Sequence, residues 1–313
     1  MTLAVKQKKI KQAVVLSRPT ERRLALILVL PAVAIVLLAL GYPLVRQIIM
    51  SFQKFGLEQQ FGVEPAFVGF ANYVSVLTDG GFWLVLVRSL AFCLITAAVT
   101  MVIGTLAALL LTKISRPIAV FVQIVMLLAW AMPVLSSLQV FQWMFDARSG
   151  VVDYALGSLG FTDMIGFNWF AQPETFFLIA GGLVTWMSVP LVVFMVYASV
   201  TQLDESMMEA AALDGASGWK TFRHIIAPSI APVLLLVSLL QIIWDIRVFT
   251  QIHVLQANGG ITEQTNVLGT YVYQIGLAGG NYGLASAAAM IMLAITLLLT
   301  WRYISMLLKD TSS

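Results

Sequence analysis

The densest group of ionisable side chains in the chain lies between residues 204 and 223. Only 11% of the residues are charged, yet six charges fall in this stretch: Asp204, Glu205, Glu209, Asp214, Lys220 and Arg223. Each charge at the centre of a bilayer costs roughly 2.5–3.5 kcal/mol, so six would cost on the order of 15–20 kcal/mol. We therefore expect this segment to lie in the cytoplasm or along its interface with the membrane.

Residues with the spacing of a catalytic or metal site are missing from the sequence. His224 and His253 are far apart, and Cys93 is the single cysteine, which excludes an intrachain disulfide. No Gly-x-x-x-x-Gly-Lys-Ser/Thr phosphate loop occurs, so the usual P-loop chemistry of ATP hydrolysis is excluded for this chain. We expect a protein that is not an enzyme, has no cofactor and no metal, and takes its energy from a partner.

The composition is that of a polytopic membrane protein. Hydrophobic residues make up 60% of the 313 residues and charged residues only 11%. A soluble domain carries roughly 25% charged residues. The net charge of +3 fits basic residues on the cytoplasmic side of membrane spans and needs no nucleic acid as partner. We expect one all-α membrane domain over residues 24–308, a basic segment at 1–23 and a short tail at 309–313.

Six apolar stretches have the length of about 20 residues that a transmembrane helix needs. They are 24–45, 89–112, 117–142, 175–200, 225–246 and 284–304. The first is longer than the apolar part of a signal peptide, which indicates a retained span. Pro31, Pro133 and Pro190 lie inside spans and are expected to kink them.

The distribution of Lys and Arg predicts that both termini are cytoplasmic. With that orientation the cytoplasmic side holds 13 basic residues and the outer side holds five, which are Arg46, Lys54, Arg88, Arg148 and Arg247. Three long outer loops result, at 46–88, 143–174 and 247–283. They could form a docking surface, or consist of short amphipathic helices on the membrane; the sequence leaves both open.

Two short helices are expected in the charged loop between the fourth and fifth spans. The first covers Ser206 to Leu213, is capped by Asp204 and ends at Gly215. Ser217 can cap a second helix that continues into the fifth span. Ala210, Ala211 and Ala212 give the first helix a narrow side, which suits either docking in a groove or packing at the interface.

The same loop resembles the Glu-Ala-Ala signature of permease subunits of binding-protein-dependent ABC importers. Glu209-Ala210-Ala211 is followed after three residues by Gly215, and after nine more by Ile225-Ile226-Ala227-Pro228. Ala227 replaces a usual Leu. Three further segments resemble the sugar branch, which includes the larger maltose-transporter permease and the glycerol-3-phosphate permease: 67–83 with Phe70 for Leu, 150–160 with Asp153 for Asn, and 249–276.

This resemblance implies a cytoplasmic coupling helix that docks into an ATPase subunit. The residues that match the signature region are Glu209, Ala210, Ala211, Leu213, Asp214 and Gly215. The implied partners are a second, related permease chain, two copies of a cytoplasmic ABC ATPase and an extracytoplasmic solute-binding protein. That protein is expected to deliver a carbohydrate of the size of a di- or oligosaccharide. A permease for glycerol-3-phosphate, an amino acid or a polyamine is the alternative, and a channel or ion-coupled carrier is a third hypothesis.

Polar and aromatic residues at membrane depth are the candidates for contact with the transported solute. They include Trp130, Gln139, Trp186, Gln241, Trp244 and Asp245. Sugars are commonly held by hydrogen bonds and by aromatic rings against their apolar faces. Trp244 and Asp245 form the preferred pair, although Gln also bonds between helices and Trp also marks the membrane interface.

Overall fold

The computed structural model describes residues 19–310 and is built almost entirely of helices. The first eight α-helices are α1 Pro19–Val36, α2 Tyr42–Ser51, α3 Leu57–Gln60, α4 Ala71–Thr78, α5 Gly80–Leu111, α6 Arg116–Trp130, α7 Val134–Met144 and α8 Val151–Ser158. The other eight are α9 Pro173–Val200, α10 Glu205–Leu213, α11 Gly218–Thr221, α12 Ala227–Asp245, α13 Thr250–Gln256, α14 Thr262–Thr265, α15 Leu268–Tyr273 and α16 Tyr282–Asp310.

Shorter elements join these helices. Segments of π-helix at Leu37–Gly41, Phe222–Ile226 and Gln274–Ala278 each continue a neighbouring α-helix, and a 3₁₀ turn covers Thr162–Met164. Strands β1, Gln53–Lys54, and β2, Ala66–Phe67, pair antiparallel, with Gln53 opposite Phe67. The basic segment expected at 1–23 lies outside the described residues up to residue 18, and so do 311–313 of the tail.

Five helical stretches are long and apolar enough to cross a membrane, and a bent pair makes a sixth candidate. The five are Ile27–Ser51, Gly80–Leu111, Pro173–Val200, Gly218–Asp245 and Tyr282–Trp301. The all-α, polytopic prediction is confirmed. All five stretches run past a predicted limit, and those that contain Arg46, Arg88 and Arg223 do so by six residues or more. A sequence criterion stops at a charge, whereas a helix can carry a charged side chain whose head group finds partners or solvent.

The third span differs from the prediction. Instead of one kinked helix over 117–142, α6 and α7 meet at an angle of 100° across the break at 131–133. Pro133 precedes the first residue of α7, and a proline disfavours helical geometry at the residue before it, here Met132. By contrast, α1 and α9 continue through Pro31 and Pro190 without a break.

The centre of the domain is the contact between α5 and α9, which pack along each other and against α12. Gly104 of α5 lies directly against Val192 of α9: a Cβ atom at position 104 would come within 2.6 Å of the Val192 side chain. Val192 is fully buried, together with Val196 and Ile230. The small residue therefore sets how closely α5 and α9 approach, as small residues do at membrane helix contacts.

The outer loops carry secondary structure of their own and are tied to the spans. The amide of Asn72 donates to the carbonyl oxygens of Ser51 and Gln53, both at 2.9 Å, and the Tyr73 hydroxyl lies 2.7 Å from the Ser51 hydroxyl. These bonds hold the Phe67–Trp83 segment against the end of α2. They give the Asn-Tyr pair of that segment a structural role.

The loop between α12 and α16 is held on the outer end of α5. Arg88 donates to the carbonyl oxygens of Glu263 at 3.2 Å and Asn266 at 3.0 Å, and the amide of Leu268 donates to the Ser89 hydroxyl at 2.8 Å. Tyr271 donates to Asp79 at 2.8 Å, and burial raises the pKa of Tyr271 above its ordinary value. Arg88, the charge at which the predicted span begins, therefore binds the outer loop to α5.

We predict that Gly104→Ala destabilises the domain, because the new methyl group forces α5 and α9 apart. Overpacking of this kind costs about 1–3 kcal/mol. The measurement is the apparent melting temperature of the purified protein in detergent. Gly182→Ala is the matched control, since a Cβ atom at this α9 position meets nothing within 4 Å. Equal melting temperatures for the two variants would contradict the close contact.

Candidate functional site

Helix α10 occupies the charged loop, and its start is fixed by Asp204. The Asp204 carboxylate accepts a hydrogen bond of 2.9 Å from the backbone amide of Ser206. This bond holds the pKa of Asp204 below its ordinary value. An acidic residue also follows at the first helical position, Glu205, where it interacts favourably with the helix dipole. The predicted cap and helix are confirmed.

The end of α10 is a Schellman motif. The amide of Ala216 donates to the carbonyl of Ala211 at 2.9 Å, and the amide of Gly215 donates to the carbonyl of Ala212 at 3.1 Å. Gly215 has a φ of +70°, a left-handed conformation that costs a residue with a side chain about 1–2 kcal/mol. The role of Gly215 as the turn that ends the helix is confirmed.

The chain then enters the fifth span without another break. Ser217 caps α11 by accepting from the backbone amide of Lys220 at 3.4 Å. The helix Gly218–Asp245 is continuous through the π-helical turn at Phe222–Ile226. Helix α10 is therefore connected to a transmembrane helix by only four residues, Asp214–Ser217.

One side of α10 rests on the membrane domain and the other faces outward. Ala211 is only 6% exposed, and Met208 packs on the cluster that contains Val196 and Ile226. Ala211 therefore seats the helix and does not lie on the outward side, contrary to the expectation of a side built from all three alanines. The outward residues are Met207, Glu209, Ala210, Ala212, Leu213, Asp214 and Gly215.

A cavity of about 890 Å³ lies between α5, α6 and α9. Its walls are apolar over most of their area, and its polar lining groups are Arg88, Thr96, Glu174, Thr185 and the indole of Trp186. Trp186 is 38% exposed, and its ring lies 5.9 Å from that of Phe141. Of the six candidate residues for solute contact, Trp186 is the one that lines this cavity.

The other five candidates occupy different environments. Trp130 at the end of α6, Gln139 on α7 and Trp244 on α12 are exposed. Gln241 and Asp245 are 1% and 3% exposed, and the Gln241 amide donates to Asp245 at 2.8 Å. The Asp245 carboxyl also lies 3.0 Å from the Thr96 hydroxyl oxygen on α5.

The preferred pair is therefore divided in this structure. Trp244 faces outward from the fold, while Asp245 points into the contact with α5. Arg247, offered by the sequence as a partner of Asp245, is exposed instead. The sequence did not predict the role of Thr96. Inside an apolar helix, a threonine that bonds to another span cannot be distinguished by sequence from one that only packs.

No group of three His, Cys, Asp or Glu residues in the described part of the chain could hold a metal ion. What the fold presents is a bundle of membrane helices with a capped helix on one interspan loop and a cavity at membrane depth. This is the architecture of a membrane transport domain.

The chain belongs to the family described as "Binding-protein-dependent transport system inner membrane component", whose model matches residues 100–304. It is accordingly a multi-pass protein of the cytoplasmic membrane. The family match includes α10, the cavity-lining parts of α6 and α9, and the fifth span.

Relatives of this chain include named permeases. It is 38% identical over 284 residues to "Diacetylchitobiose uptake system permease protein DasB" of Streptomyces coelicolor, covering 91% of this chain and 86% of that protein. It is 27% identical over 286 residues to "Trehalose/maltose transport system permease protein MalF" of Thermococcus litoralis, covering 91% and 93% of the two chains.

A solved structure shares the fold. A chain from a bacterial ABC transporter involved in the import of the acidic polysaccharide alginate matches with a TM-score of 0.79 and 20% identity, over 93% of this chain and 96% of that one.

We predict that Gly215→Ala frays the end of α10, because alanine resists the left-handed conformation. A cost of about 1–2 kcal/mol corresponds to roughly tenfold faster amide hydrogen exchange in the last turn of α10. Hydrogen–deuterium exchange of a peptide that spans 205–216 provides the measurement. Gly218→Ala is the control, since position 218 has open space and no positive φ. Unchanged protection in Gly215→Ala would contradict the capping role.

Proposed function

We propose that this chain is a permease subunit of an ATP-driven importer and forms half of the translocation pathway for a carbohydrate. The observation that carries the proposal is α10: a short helix, capped at both ends, seated on the membrane domain through Ala211 and Met208 and joined to α12. Family membership and the sugar permeases among the relatives support it.

Docking of α10 with a separate ATPase explains why the side of α10 that faces away from the membrane domain carries exposed apolar residues. The outward side combines the carboxylate of Glu209 with the apolar side chains of Met207, 46% exposed, and Leu213, 89% exposed. An exposed leucine of this kind is costly in water and stabilising in the groove of a partner. Glu209 adds a charge that pairs with a basic residue of the ATPase. Two ATPase copies supply the hydrolysis for which this chain has no phosphate loop.

Transport then follows from rigid coupling of α10 to the spans. When ATP closes the two ATPase subunits, each moves the helix seated in its groove. Because Gly218–Asp245 is one continuous helix, motion at the loop is passed to the fifth span as a rigid-body tilt. Such tilting opens the pathway alternately to the outer and inner sides of the membrane.

The remaining partners follow from the orientation and from the incomplete pathway. With both termini in the cytoplasm, α3, α4, α8 and α13–α15 lie on the outer side, where a solute-binding protein can dock. A second, related permease completes the pathway as a heterodimer. No feature of the proposal requires nucleic acid.

A di- or oligosaccharide is the proposed solute. Relatives are named for diacetylchitobiose and for trehalose and maltose, and a solute of this class suits aromatic rings combined with hydrogen-bonding groups. In this structure Trp130, Gln139, Trp186 and Trp244 offer side chains with exposed surface, and they are the proposed contacts. Gln241 and Asp245 are buried and offer no such surface.

We predict that Glu209→Lys abolishes uptake while the protein stays in the membrane. The new charge repels the basic groove of the ATPase, and Glu209 is exposed, so the fold itself is unaffected. Uptake of a radiolabelled saccharide by intact cells, membrane abundance and recovery of the ATPase with the purified permease are measured together.

Glu64→Lys serves as the control, because it makes the same charge change at an exposed position in the loop between β1 and β2. It leaves ATPase recovery at the wild-type level, because Glu64 lies on the opposite side of the membrane from α10. Full uptake and normal ATPase recovery in Glu209→Lys would refute the docking role of α10.

Trp186→Ala and Trp244→Ala are expected to lower the uptake of saccharide, with membrane abundance and ATPase recovery unchanged. Loss of one stacking ring weakens solute binding by about 1 kcal/mol, or roughly fivefold. Trp301→Ala is the matched control, because Trp301 is also exposed, at 72%, and lies toward the cytoplasmic end of α16. Equal uptake by all three variants would remove these tryptophans from the pathway.

A further inference from the structure

The contact between the second and fifth spans contains a buried carboxyl group, Asp245, the last residue of α12. Its side chain is 3% exposed, and both of its polar neighbours are equally enclosed: Gln241 is 1% exposed and Thr96 is 4% exposed. Gln241 lies one turn earlier on α12, whereas Thr96 belongs to α5. The group is therefore shared by two spans and closed off from solvent.

The hydroxyl of Thr96 has one proton and three oxygen atoms within hydrogen-bond distance. These are the carbonyl oxygens of Phe92 at 2.7 Å and Cys93 at 3.1 Å, and a carboxyl oxygen of Asp245 at 3.0 Å. The shortest contact, to Phe92, takes the proton, because two oxygen atoms at 2.7 Å without a proton between them repel each other. A carbonyl cannot donate, so a second hydrogen bond of Thr96 requires a proton from Asp245.

In the described part of the chain no cation is paired with Asp245: Arg247, two residues later, has an exposed side chain. Within α12 it is the sole ionisable residue, and α9 carries none between Glu174 and Tyr197 near its two ends. On α5 the ionisable residues are Cys93, which directs its thiol to the carbonyl of Ile242, and Arg88, whose guanidinium is bonded to the carbonyls of the outer loop. The part of α16 from 283 to 301 has none. A carboxylate here would be a buried charge without a counter-ion.

We propose that Asp245 is a neutral carboxylic acid that donates its proton to Thr96 and thereby fastens the fifth span to the second. The hydrogen bonds then run in one direction: the Gln241 amide donates to the acid carbonyl, the acid hydroxyl donates to Thr96, and Thr96 donates to the carbonyl of Phe92. Each proton in this chain of hydrogen bonds has one acceptor, and the Thr96 hydroxyl acts once as acceptor and once as donor. No charge is placed inside the bundle.

Asp153 in the outer loop provides an internal contrast. It too is buried, at 5% exposure, but its two carboxyl oxygens accept from the indole N–H of Trp169 at 2.5 Å and from the amide of Gly166 at 3.1 Å. Both partners are N–H groups that can only donate. Two N–H donors suit an acceptor-only carboxyl group at Asp153. The Thr96 hydroxyl beside Asp245 instead needs a proton donor.

The bond to Thr96 makes Asp245 a positioning residue. Thr96 also lines the cavity between α5, α6 and α9, and its methyl group lies opposite Gly181 of α9, where a Cβ atom would come within 3.3 Å. The acid thus fixes from behind the rotamer of a side chain in the cavity wall. This role holds whichever solute the protein carries.

Infrared spectroscopy of the full chain, purified with its partners in an ester-free detergent at neutral pH, tests the protonation state. The wild-type protein is expected to show the carbonyl stretching band of a protonated carboxyl group, shifted to lower frequency in D₂O. The band disappears in Asp245→Asn and persists in Asp153→Asn. Absence of the band from the wild-type spectrum, or its persistence in Asp245→Asn, would overturn the proposal.

Two further variants test the direction of the bonds. Gln241→Leu removes the donor to the acid carbonyl and is expected to move the band to higher frequency. Thr96→Val removes the acceptor at nearly constant volume and is expected to move the band while keeping it. A band with the same frequency in Thr96→Val as in the wild type would show that the acid does not bond to Thr96.

Discussion

Polar groups in a bilayer must find their partners within the protein, and this constraint organises the whole domain. Two positions of α5 meet it, Arg88 near its outer end and Thr96 in its middle, whereas the buried Thr100 hydroxyl on the same helix has no hydrogen-bond partner. Arg88 is satisfied by carbonyl groups of the last outer loop, and Thr96 by its own helix and by Asp245. Because these contacts join segments about 150 to 180 residues apart, they align α5 with α12 and with the outer surface. The same helix packs against α9 at Gly104, so the central helix is fixed on several sides.

The sequence was sufficient for features that depend on neighbouring residues. The apolar stretches located the spans, and Asp204, Gly215 and Ser217 marked the helix ends in the charged loop because capping acts over two or three residues. Features that depend on distant residues could not be predicted in this way. The partner of Asp245 is Thr96, 149 residues away, and Arg88 ended a predicted span because its acceptors in the outer loop were unknown. Nor could composition tell that Pro133 breaks its span whereas Pro31 and Pro190 do not. The inward orientation of Ala211 was likewise hidden, since three consecutive alanines look alike.

The loop helix and the polar contact behind the cavity lie at opposite ends of the same span. Helix α10 joins the continuous helix Gly218–Asp245 at its start, and Asp245 is the residue at its end. With α10 docked to the ATPase as proposed and Asp245 bonded to Thr96, this rigid helix pivots about its Asp245 end. The largest displacement then occurs near α10, and the smallest occurs where Asp245 meets Thr96. Coupling and anchoring are in this way properties of a single element.

The first span differs from the other spans, because none of its apolar core is buried within the described fold. It is attached through α2, which packs on α16, and through the strand region beside it, where the amide of Gly283 donates to the carbonyl of Phe55 at 2.9 Å. During synthesis this helix enters the bilayer early, yet its docking site is completed only when the sixth span has been inserted, some 230 residues later. Until then its contacts to the rest of the domain are those at the end of α2, where Asn72 and Tyr73 bond to Ser51. Assembly of the domain is therefore completed by the pairing of its first and sixth spans, and a chain that ends before α16 leaves the first span attached at one end alone.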